Sequence, residues 1–382
     1  MTEVGWDDAR EIAHGCAAPL PVRDVPVGDA VGCVLADQLW SLTALPPFDT
    51  AAMDGWAVRG PGPWRVVGRV LAGSSTAPAL GGSEAFEIAT GAQTPPGADA
   101  VLPYEAGVVL GDEVTGEIPA GRHIRRSGEE CAARTAVLPA GAVLTPIALG
   151  LAAAVGHDRL RVHPVPRVHA LVTGDELLRS GLPGNGRIRD AVGPLLPGAV
   201  TSYGGRLVGL DHLGDDPELL RKAILDADAD VVITTGASSV GRADFLPRVL
   251  RELNAELLVD GVQVKPGHPQ VLARLADGRL VVGLPGNPLA AVAGMVTVLA
   301  PALAALAGRP MPALTTGRLT EALSAAGSTR LVPVAVRDGL AHPTGLAGAA
   351  MLRGAARADA FAVVPPTSSP AAGDEVRLVV LP

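Results

Sequence analysis

The chain has 382 residues, enough for two or more domains, because single hydrophobic cores stop growing at roughly 250–300 residues. Its formal net charge of −8 does not favour binding to nucleic acid or anionic lipid. An anionic ligand must therefore be held by a local arrangement of groups or through a metal. The three cysteines are widely spaced and the acidic N-terminus has no apolar signal region, so we expect neither a disulfide framework nor a zinc site, and a reducing, cytoplasmic location.

The first part of the chain combines short helices with a β-rich stretch. Acidic residues in the first turn predict a helix over residues 7–17, and Thr145 followed by Pro146 predicts the start of another that closes at Gly156. Between them, residues 64–114 alternate β-rich pieces with turns and show no helical period, which predicts a small antiparallel β domain. Because similar helical segments flank this β domain in the sequence, it is interpreted as an insertion into one helical domain.

Residues 167–308 repeat a strand, a loop and a helix. This alternation predicts a mostly parallel doubly wound sheet, whose ligand crevice lies beyond the carboxyl ends of the strands. The predicted strands are residues 168–172, 206–210, 231–234, 256–259 and 280–282.

One stretch of the chain, residues 284–308, has no charged residue over a length that would span a bilayer. It is mostly Ala and Gly, and Pro288 and Pro301 interrupt it, so its apolar content per residue is low. It therefore predicts a buried helix packed on the sheet rather than a transmembrane span.

Small and acidic residues follow the predicted strands. The loops are TGDE at 173–176, GDD at 214–216, the Gly-rich residues 236–244 and GLPGNP at 283–288, and the turn KPGHP at 265–269 adds a cation. Each loop alone fits turn chemistry, and Asp54 and Thr90 in the β-rich part fit a turn cap and a strand end. Together, the loops on one sheet edge predict a site for a phosphate-bearing ligand handled with Mg²⁺, because carboxylates repel phosphate unless a cation stands between them.

Seven motifs in this order carry a resemblance: PPFDTAAMDGWA, IATGAQTPPGADAV, TGDEL, TTGASSVGRAD, KPGHP, GLPGNP and MLRGAARADAFAVVP. Nearly the whole chain resembles the molybdopterin molybdenumtransferase family, known as MoeA in bacteria and as the E domain of gephyrin in animals. The resemblance implies a multidomain α/β fold and a homodimer whose active sites are built from both subunits. It also implies a discontinuous helical domain (1–44 and 123–164), an inserted β domain (45–122), an α/β molybdopterin-binding domain (165–309) and a C-terminal β barrel (310–382).

The resemblance further implies a transferase of molybdenum cofactor biosynthesis. Such enzymes bind adenylylated molybdopterin and molybdate, insert the molybdenum with Mg²⁺ and release AMP, with a molybdopterin adenylyltransferase and recipient molybdoenzymes as transient partners. Carried over residue by residue, catalytic roles go to Asp54, Glu176, Asp216, Asp244 and Lys265, and Glu176 and Asp244 would hold the metal. The implied contacts with molybdopterin and its phosphate are Thr90, Gly236, Ser239, His268, Pro285, Gly286, Asn287, Pro288 and Arg330.

Several motif positions depart from the family pattern, and the losses remove polar donors that would bind an oxyanion. The departures are Thr50–Ala51 for Asn–Ser, Ala237–Ser238 for Gly–Val, His268 for Lys, Ala290 for Ser, Ala191–Val192 for Ser–Asn, and Ala349 for Ser. The charge of His268 depends on pH, unlike that of a lysine. Two hypotheses follow: an active molybdenumtransferase, or a catalytically impaired paralogue that acts as a molybdopterin-binding carrier or scaffold. A nucleotidyltransferase that adenylylates molybdopterin is disfavoured, because the flanking domains match the molybdate-inserting family.

Overall fold

The computed structural model describes residues 3–74, 78–236, 245–324, 326–346 and 348–382. Its contacts divide the chain into two compact units. The larger unit comprises Met1–Arg23, Gly32–Val34 and His163–Pro382, and the smaller unit comprises Asp24–Val31 and Leu35–Val162. The four-domain partition implied by the resemblance stays a prediction.

A six-stranded sheet forms the centre of the larger unit. Its strands are β1 (Arg167–Thr173), β2 (Arg206–Leu213), β3 (Val231–Thr235), β4 (Glu256–Asp260), β5 (Val271–Arg274) and β6 (Leu280–Leu284), in the spatial order β2-β1-β3-β6-β5-β4. The first four in that order run parallel, and β5 and β4 form an antiparallel edge. The predicted fold class is confirmed, and all five predicted strands are present. Strand β5 was missed because it is a short run directly after the KPGHP turn.

Helices cover this sheet on its two faces. They are α1 (Trp6–Gly15), α2 (Leu196–Ser202), α3 (Pro217–Asp226), α4 (Leu246–Glu252), α5 (Pro288–Gly294), α6 (Ala300–Leu306) and α7 (Leu352–Ala355). A π-helical segment, Met295–Leu299, joins α5 to α6 into one helix. This helix, Pro288–Leu306, is long and apolar enough to cross a membrane, yet its residues from Leu289 onward are all buried inside the protein. The prediction of a buried helix is therefore confirmed.

A five-stranded barrel ends the chain. Strands β7 (Thr315–Leu319), β8 (Thr329–Arg337), β9 (Leu340–Pro343), β10 (Ala360–Val364) and β11 (Glu375–Val380) follow the order β8-β9-β7-β11-β10, and β10 pairs with β8 to close the barrel. The short strand Val264–Lys265 adds in parallel to β8, with Lys265 opposite Arg330. The barrel that the resemblance implied is present.

The smaller unit is built on a second six-stranded sheet. Its strands, in spatial order, are Ala100–Pro103, Gly55–Val58, Glu84–Ile88, Trp64–Val70, Glu113–Thr115 and Val108–Leu110. The prediction of an antiparallel domain is wrong for one pair, because Trp64–Val70 and Glu84–Ile88 run parallel. Residues 71–83 connect them, which is long enough for a crossover instead of a hairpin.

Shorter elements complete the residues before 164. The helix Pro146–Ala154 begins as predicted, with Thr145 Oγ1 accepting a hydrogen bond from Ala148 N at 3.1 Å. Arg159–His163 lies between Arg23–Pro26 and Val34–Leu35 and pairs with both. Leu39–Trp40 pairs with Ala136–Leu138, and Thr50–Ala51 pairs with Ile124–Arg125.

Candidate active site

A cleft of about 660 Å³ opens at the carboxyl edge of the parallel strands in the larger unit. Strands β1, β3 and β6 are neighbours in the sheet and end at this cleft, as expected for a ligand crevice of a doubly wound sheet. The described lining residues are Thr173, Glu176, Leu177, 188–192, Thr235, Gly236, Val264, Lys265, 267–269, 285–288, Ala290, Ala349 and Ala350.

Two glycines let the loops after β3 and β6 pack against each other. Gly236 has φ +89°, and a Cβ there would lie 2.5 Å from the Thr173 carbonyl oxygen. A Cβ on Gly286 would lie 3.2 Å from the Cα of Gly236. Thr173 Oγ1 also donates to the Thr235 carbonyl at 2.7 Å, which fixes the ends of β1 and β3 together. Backbone at this edge can therefore approach a ligand closely, and a side chain at position 236 would not fit.

The GLPGNP loop presents its polar groups to the cleft because of how helix α5 begins. Asn287 is the N-cap residue and Pro288 occupies the first turn, but the Asn287 side chain makes no capping bond. The carbonyl of Ala349 accepts hydrogen bonds from Leu289 N at 2.8 Å and Ala290 N at 3.1 Å instead. The first helical amides are thus already occupied, and a ligand would meet the exposed Gly286 and Asn287 before the helix.

A short pair of parallel strands brings acidic and basic side chains to the rim of the cleft. Leu177–Leu178 pairs with Ile188–Arg189, which places Arg189 and Asp190 beside Glu176 at the cleft. Asp190 is buried: its Oδ1 accepts from Val192 N and Gly193 N, at 3.0 and 2.9 Å. Its Oδ2 lies 2.9 Å from His212 Nε2. Asp190 therefore shapes the rim, whereas the exposed Glu176 keeps its carboxylate for a ligand.

Lys265 and His268 stand where the cleft meets a smaller cavity of about 390 Å³. His268 Nδ1 donates to the Val262 carbonyl at 2.9 Å, because a carbonyl can only accept, and its Nε2 lies 3.5 Å from Glu3 Oε1. Lys265 Nζ has one weak contact, at 3.5 Å from the Ala326 carbonyl. Ser328 also lines the smaller cavity, and its buried hydroxyl has no hydrogen-bond partner. This cavity therefore offers donors that an oxyanion would accept.

The structure gathers most of the predicted larger-unit residues around the cleft, but Asp216 and Arg330 do not line it. Asp216 Oδ1 accepts from Glu218 N at 2.7 Å and Leu219 N at 3.3 Å, which caps helix α3. Arg330 lies opposite Lys265 and donates to both oxygens of Ser324 at 3.1 Å. The predicted residues Ser239 and Asp244, and the departures Ala237 and Ser238, lie outside the described residues. The predicted residues that do line the cleft are Glu176, Gly236, Lys265, His268, Pro285, Gly286, Asn287 and Pro288.

The two predicted residues of the smaller unit lie together. Asp54 Oδ1 accepts from Thr90 N at 2.6 Å and from Thr90 Oγ1 at 2.9 Å. The backbone N–H of Thr90, followed by its hydroxyl, lowers the pKa of the Asp54 carboxyl below its usual value. Asp54 is therefore an ionised, exposed carboxylate that is held in one orientation by Thr90.

Sequence reasoning missed Arg189 and Asp190 as cleft residues. The family pattern drew attention to the segment at 190–192, but only the pairing of Leu177–Leu178 with Ile188–Arg189 brings it to the cleft. The family pattern also identified three positions where an alanine replaces a serine. These alanines, Ala191, Ala290 and Ala349, all line the cleft.

The donor set fits a magnesium ion that is held mainly by a substrate. Among the described residues, no group of three or more His, Cys, Asp or Glu side chains gathers to hold a metal. Glu176 offers one exposed carboxylate in the cleft, and Mg²⁺ characteristically takes one or two carboxylates together with waters and substrate phosphates. The described residues therefore suit a phosphate-bound ion better than an all-protein cage.

Comparison with known protein families matched almost the whole chain. A model of the MoeA N-terminal region (domain I and II) matches residues 4–156, one of a probable molybdopterin binding domain matches residues 169–305, and one of the MoeA C-terminal region (domain IV) matches residues 316–381.

Individual relatives agree with these matches. Molybdopterin molybdenumtransferase 2 of Mycobacterium tuberculosis is 36% identical over 324 residues, which is 79% of each chain. Molybdopterin molybdenumtransferase of Staphylococcus aureus is 32% identical over 307 residues, or 76% of this chain and 72% of that one. The crystal structure of a MoeA molybdopterin biosynthesis protein from Pyrococcus horikosii superposes with a TM-score of 0.77 at 28% identity and covers 99% of both chains.

Proposed function

The chain belongs to the molybdopterin molybdenumtransferase family of molybdenum cofactor biosynthesis, and from this we propose that it uses Mg²⁺ and molybdate to insert molybdenum into adenylylated molybdopterin, with release of AMP. The observation that carries the proposal is the convergence of Glu176, Gly236, Lys265, His268 and residues 285–288 on one cleft. Its volume of about 660 Å³ lies within the range of roughly 300–1,000 Å³ of small-molecule sites.

The charged and polar groups of the cleft have different roles in this reaction. Arg189 and Lys265 offset the charge of the ligand's phosphates, and the exposed Asn287 amide orients the ligand beside the Gly286 backbone. Hydrolysis adds water to a phosphorus of the linkage and breaks its bridging P–O bond, and AMP leaves. Glu176 and Asp244 would hold Mg²⁺, which supplies Lewis-acid polarisation of the phosphate oxygens when bound. Asp54 and Thr90 would act at the active site of the partner subunit in the homodimer.

A carrier or scaffold without turnover is the second candidate. It is favoured by the three alanines of the cleft, Ala191, Ala290 and Ala349, because each lacks the hydroxyl of the family pattern. Fewer donors against an oxyanion weaken its binding. We infer that the retained Lys265 and Glu176 outweigh this loss, because a full positive charge binds an oxyanion more strongly than a single hydroxyl and because Glu176 would hold the metal.

Incubation of the purified protein with adenylylated molybdopterin, Mg²⁺ and molybdate separates the two candidates. The enzyme should release AMP in a molybdate-dependent manner and yield a cofactor that activates an apo-molybdoenzyme. Binding of adenylylated molybdopterin without molybdate-dependent AMP release would leave the carrier. A variant with Ala191→Ser, Ala290→Ser and Ala349→Ser should turn over faster than the native chain if the lost hydroxyls limit the rate.

Molybdate itself would enter through the smaller cavity at Lys265 and His268. His268→Lys is expected to tighten molybdate binding by about tenfold. A second lysine supplies a permanent positive charge to the anion, whereas the imidazole of His268 lies beside the Glu3 carboxylate. Lys265→Met should weaken binding, and Lys222→Met, on the exposed surface of α3, is the matched control. Calorimetry with molybdate alone measures these affinities. Equal affinities for all four proteins would place molybdate elsewhere.

We also propose a homodimer in the cytoplasm, with the adenylyltransferase and recipient molybdoenzymes as transient partners. The helix Pro146–Ala154 supports self-association, because all nine of its residues are apolar or glycine and only Ala152 is buried. Ile147 on this helix is 86% exposed, and Leu42, whose N–H donates to Val155 just beyond the helix, is 62% exposed. Exposed apolar surface of this kind marks protein interfaces.

Ile147→Asp is expected to shift the protein from dimer to monomer, because the new carboxylate would lose its hydration in an apolar interface. Light scattering over a concentration series measures the change. Leu182→Asp is the control, since Leu182 is 91% exposed but lies in the larger unit. A dimer that survives Ile147→Asp unchanged would exclude this helix from the interface.

A further inference from the structure

A third cavity of the larger unit, about 310 Å³, has no part in the proposed reaction. Helix α1, the π-helical segment and the end of β11 meet there, and none of its lining residues belongs to the cleft. Its walls are apolar at Val296, Ala300 and Val379, but Arg10 and Tyr203 also line it. The cavity therefore combines an apolar interior with two hydrogen-bond donors.

Arg10 is a guanidinium enclosed by the protein, with only 2% of the residue exposed. It donates from Nη1 to the Val296 carbonyl at 2.7 Å and from Nη2 to the Pro312 carbonyl at 2.6 Å, and it lies 5.0 Å above the Trp6 ring. These contacts tie α1 to the π-helical segment, which explains why the side chain is held in place. Among the described residues, these contacts supply partial charges only and give Arg10 no ion pair of its own.

The Asp7 carboxylate, which acts electrostatically on Arg10, already has a partner. Asp7 forms two hydrogen bonds with Arg377, at 2.8 and 2.9 Å, and Arg377 lies on the same Trp6 ring as Arg10, 5.8 Å from its centre. Two guanidinium groups therefore share one carboxylate, and within the part of the chain that the structure describes Arg10 forms no ion pair of its own. Burial lowers the pKa of Arg10, as expected for a cation removed from water.

The Tyr203 hydroxyl is the second uncompensated donor. It is buried and has no hydrogen-bond partner. Buried charges are ordinarily paired and buried hydroxyls ordinarily hydrogen-bonded, because leaving them unpaired costs free energy. Ser202 and Pro382 also line the cavity, but among the described residues neither pairs with Arg10 or with the Tyr203 hydroxyl. The chemistry that would complete these two groups is an anionic acceptor attached to an apolar body.

We propose that this cavity binds a small apolar monocarboxylate, whose carboxylate pairs with Arg10 and accepts from the Tyr203 hydroxyl while its body packs on Val296, Ala300 and Val379. A volume of about 310 Å³ lies at the lower end of ligand pockets, which limits the ligand to the size of a single ring with a short acid chain. The proposal does not depend on the chemistry of the cleft, because the two sites share no residue.

The test compares phenylacetate with its neutral isostere phenylacetamide on the purified full-length protein, by ligand-observed NMR and calorimetry. Phenylacetate should bind at least about tenfold more tightly than phenylacetamide, because only the acid supplies the missing charge. Tyr203→Phe removes only the unpartnered hydroxyl and so should fold normally while weakening phenylacetate binding severalfold. Arg10→Met should abolish the preference for the acid, and Arg221→Met on α3 should leave it intact.

Three outcomes would overturn the proposal. They are equal binding of the acid and the amide, phenylacetate binding that Tyr203→Phe leaves unchanged, and no phenylacetate binding at millimolar concentration. Equal binding of phenylacetate and phenylacetamide would show that the cavity accepts apolar molecules without recognising a carboxylate. If Arg10→Met fails to fold, the comparison of acid and amide on the native chain and on Tyr203→Phe still decides.

Discussion

Glu176→Gln is expected to reduce molybdate-dependent AMP release by at least about a hundredfold, a typical loss when a charged catalytic group is removed. Glutamine keeps the size of the side chain but removes the anionic oxygens that a magnesium ion prefers. Glu176 is the exposed carboxylate of the loop after β1, and its side chain caps no helix and pairs with no cation within the described residues. The free energy of unfolding should therefore stay within about 0.5 kcal/mol of the native value.

Glu218→Gln provides the matched control for this experiment. Glu218 is also exposed and lies in the larger unit, but its carboxylate pairs with Arg221 on α3 and does not line the cleft. It should release AMP at the native rate. Native activity in Glu176→Gln would show that the metal is held by other groups, and a large loss in both variants would point to a general charge effect.

Gly236→Ala is expected to destabilise the protein by about 2–4 kcal/mol and to abolish ligand binding in the cleft. Two effects add: alanine is strained at φ +89°, and its Cβ would lie 2.5 Å from the Thr173 carbonyl oxygen. The loop can accept the methyl group only by moving away from β1, which would separate the backbone of Gly236 from that of Gly286.

Gly278→Ala isolates the first effect, the strain of alanine at positive φ. Gly278 has nearly the same φ, +87°, but no atom lies within 4 Å of the position of its Cβ. Its substitution should cost only about 1–2 kcal/mol, the strain of the left-handed conformation. Urea denaturation of both variants measures the difference. Equal losses would mean that the close approach of β1 and the Gly236 loop does not exist in solution.

Much of the architecture followed from local patterns. The run at 231–234 predicted strand β3, since uninterrupted β-branched residues suit a strand buried on both faces, and all five residues of β3 are buried. Thr145, Pro146 and Gly156 defined a helix correctly, because capping groups act within one helical turn. The charge-free stretch at 284–308 predicted the long buried helix, because its composition alone indicates burial.

The candidate site followed less completely from sequence. Loops after parallel strands meet at one sheet edge, and Glu176, Gly236 and the GLPGNP loop line the cleft at that edge. The roles within that set depend on hydrogen bonds that sequence does not specify. Asp216 belongs to a predicted acidic loop, yet it caps a helix. Asp190, which sequence reasoning missed, holds a turn and His212.

The sequence by itself determined the family, most strand and helix positions and the loops that line the cleft, because turns, caps and hydrophobic periods depend on neighbouring residues. The tertiary structure alone decided which groups remain free for a ligand. It placed the Ala349 carbonyl on the first amides of α5 and Arg189 at the rim of the cleft. It also enclosed Arg10 between segments far apart in the chain, with no ion pair of its own among the described residues. Burial and pairing are properties of the packed molecule, since they depend on every segment that surrounds a group and not on the residues beside it in sequence.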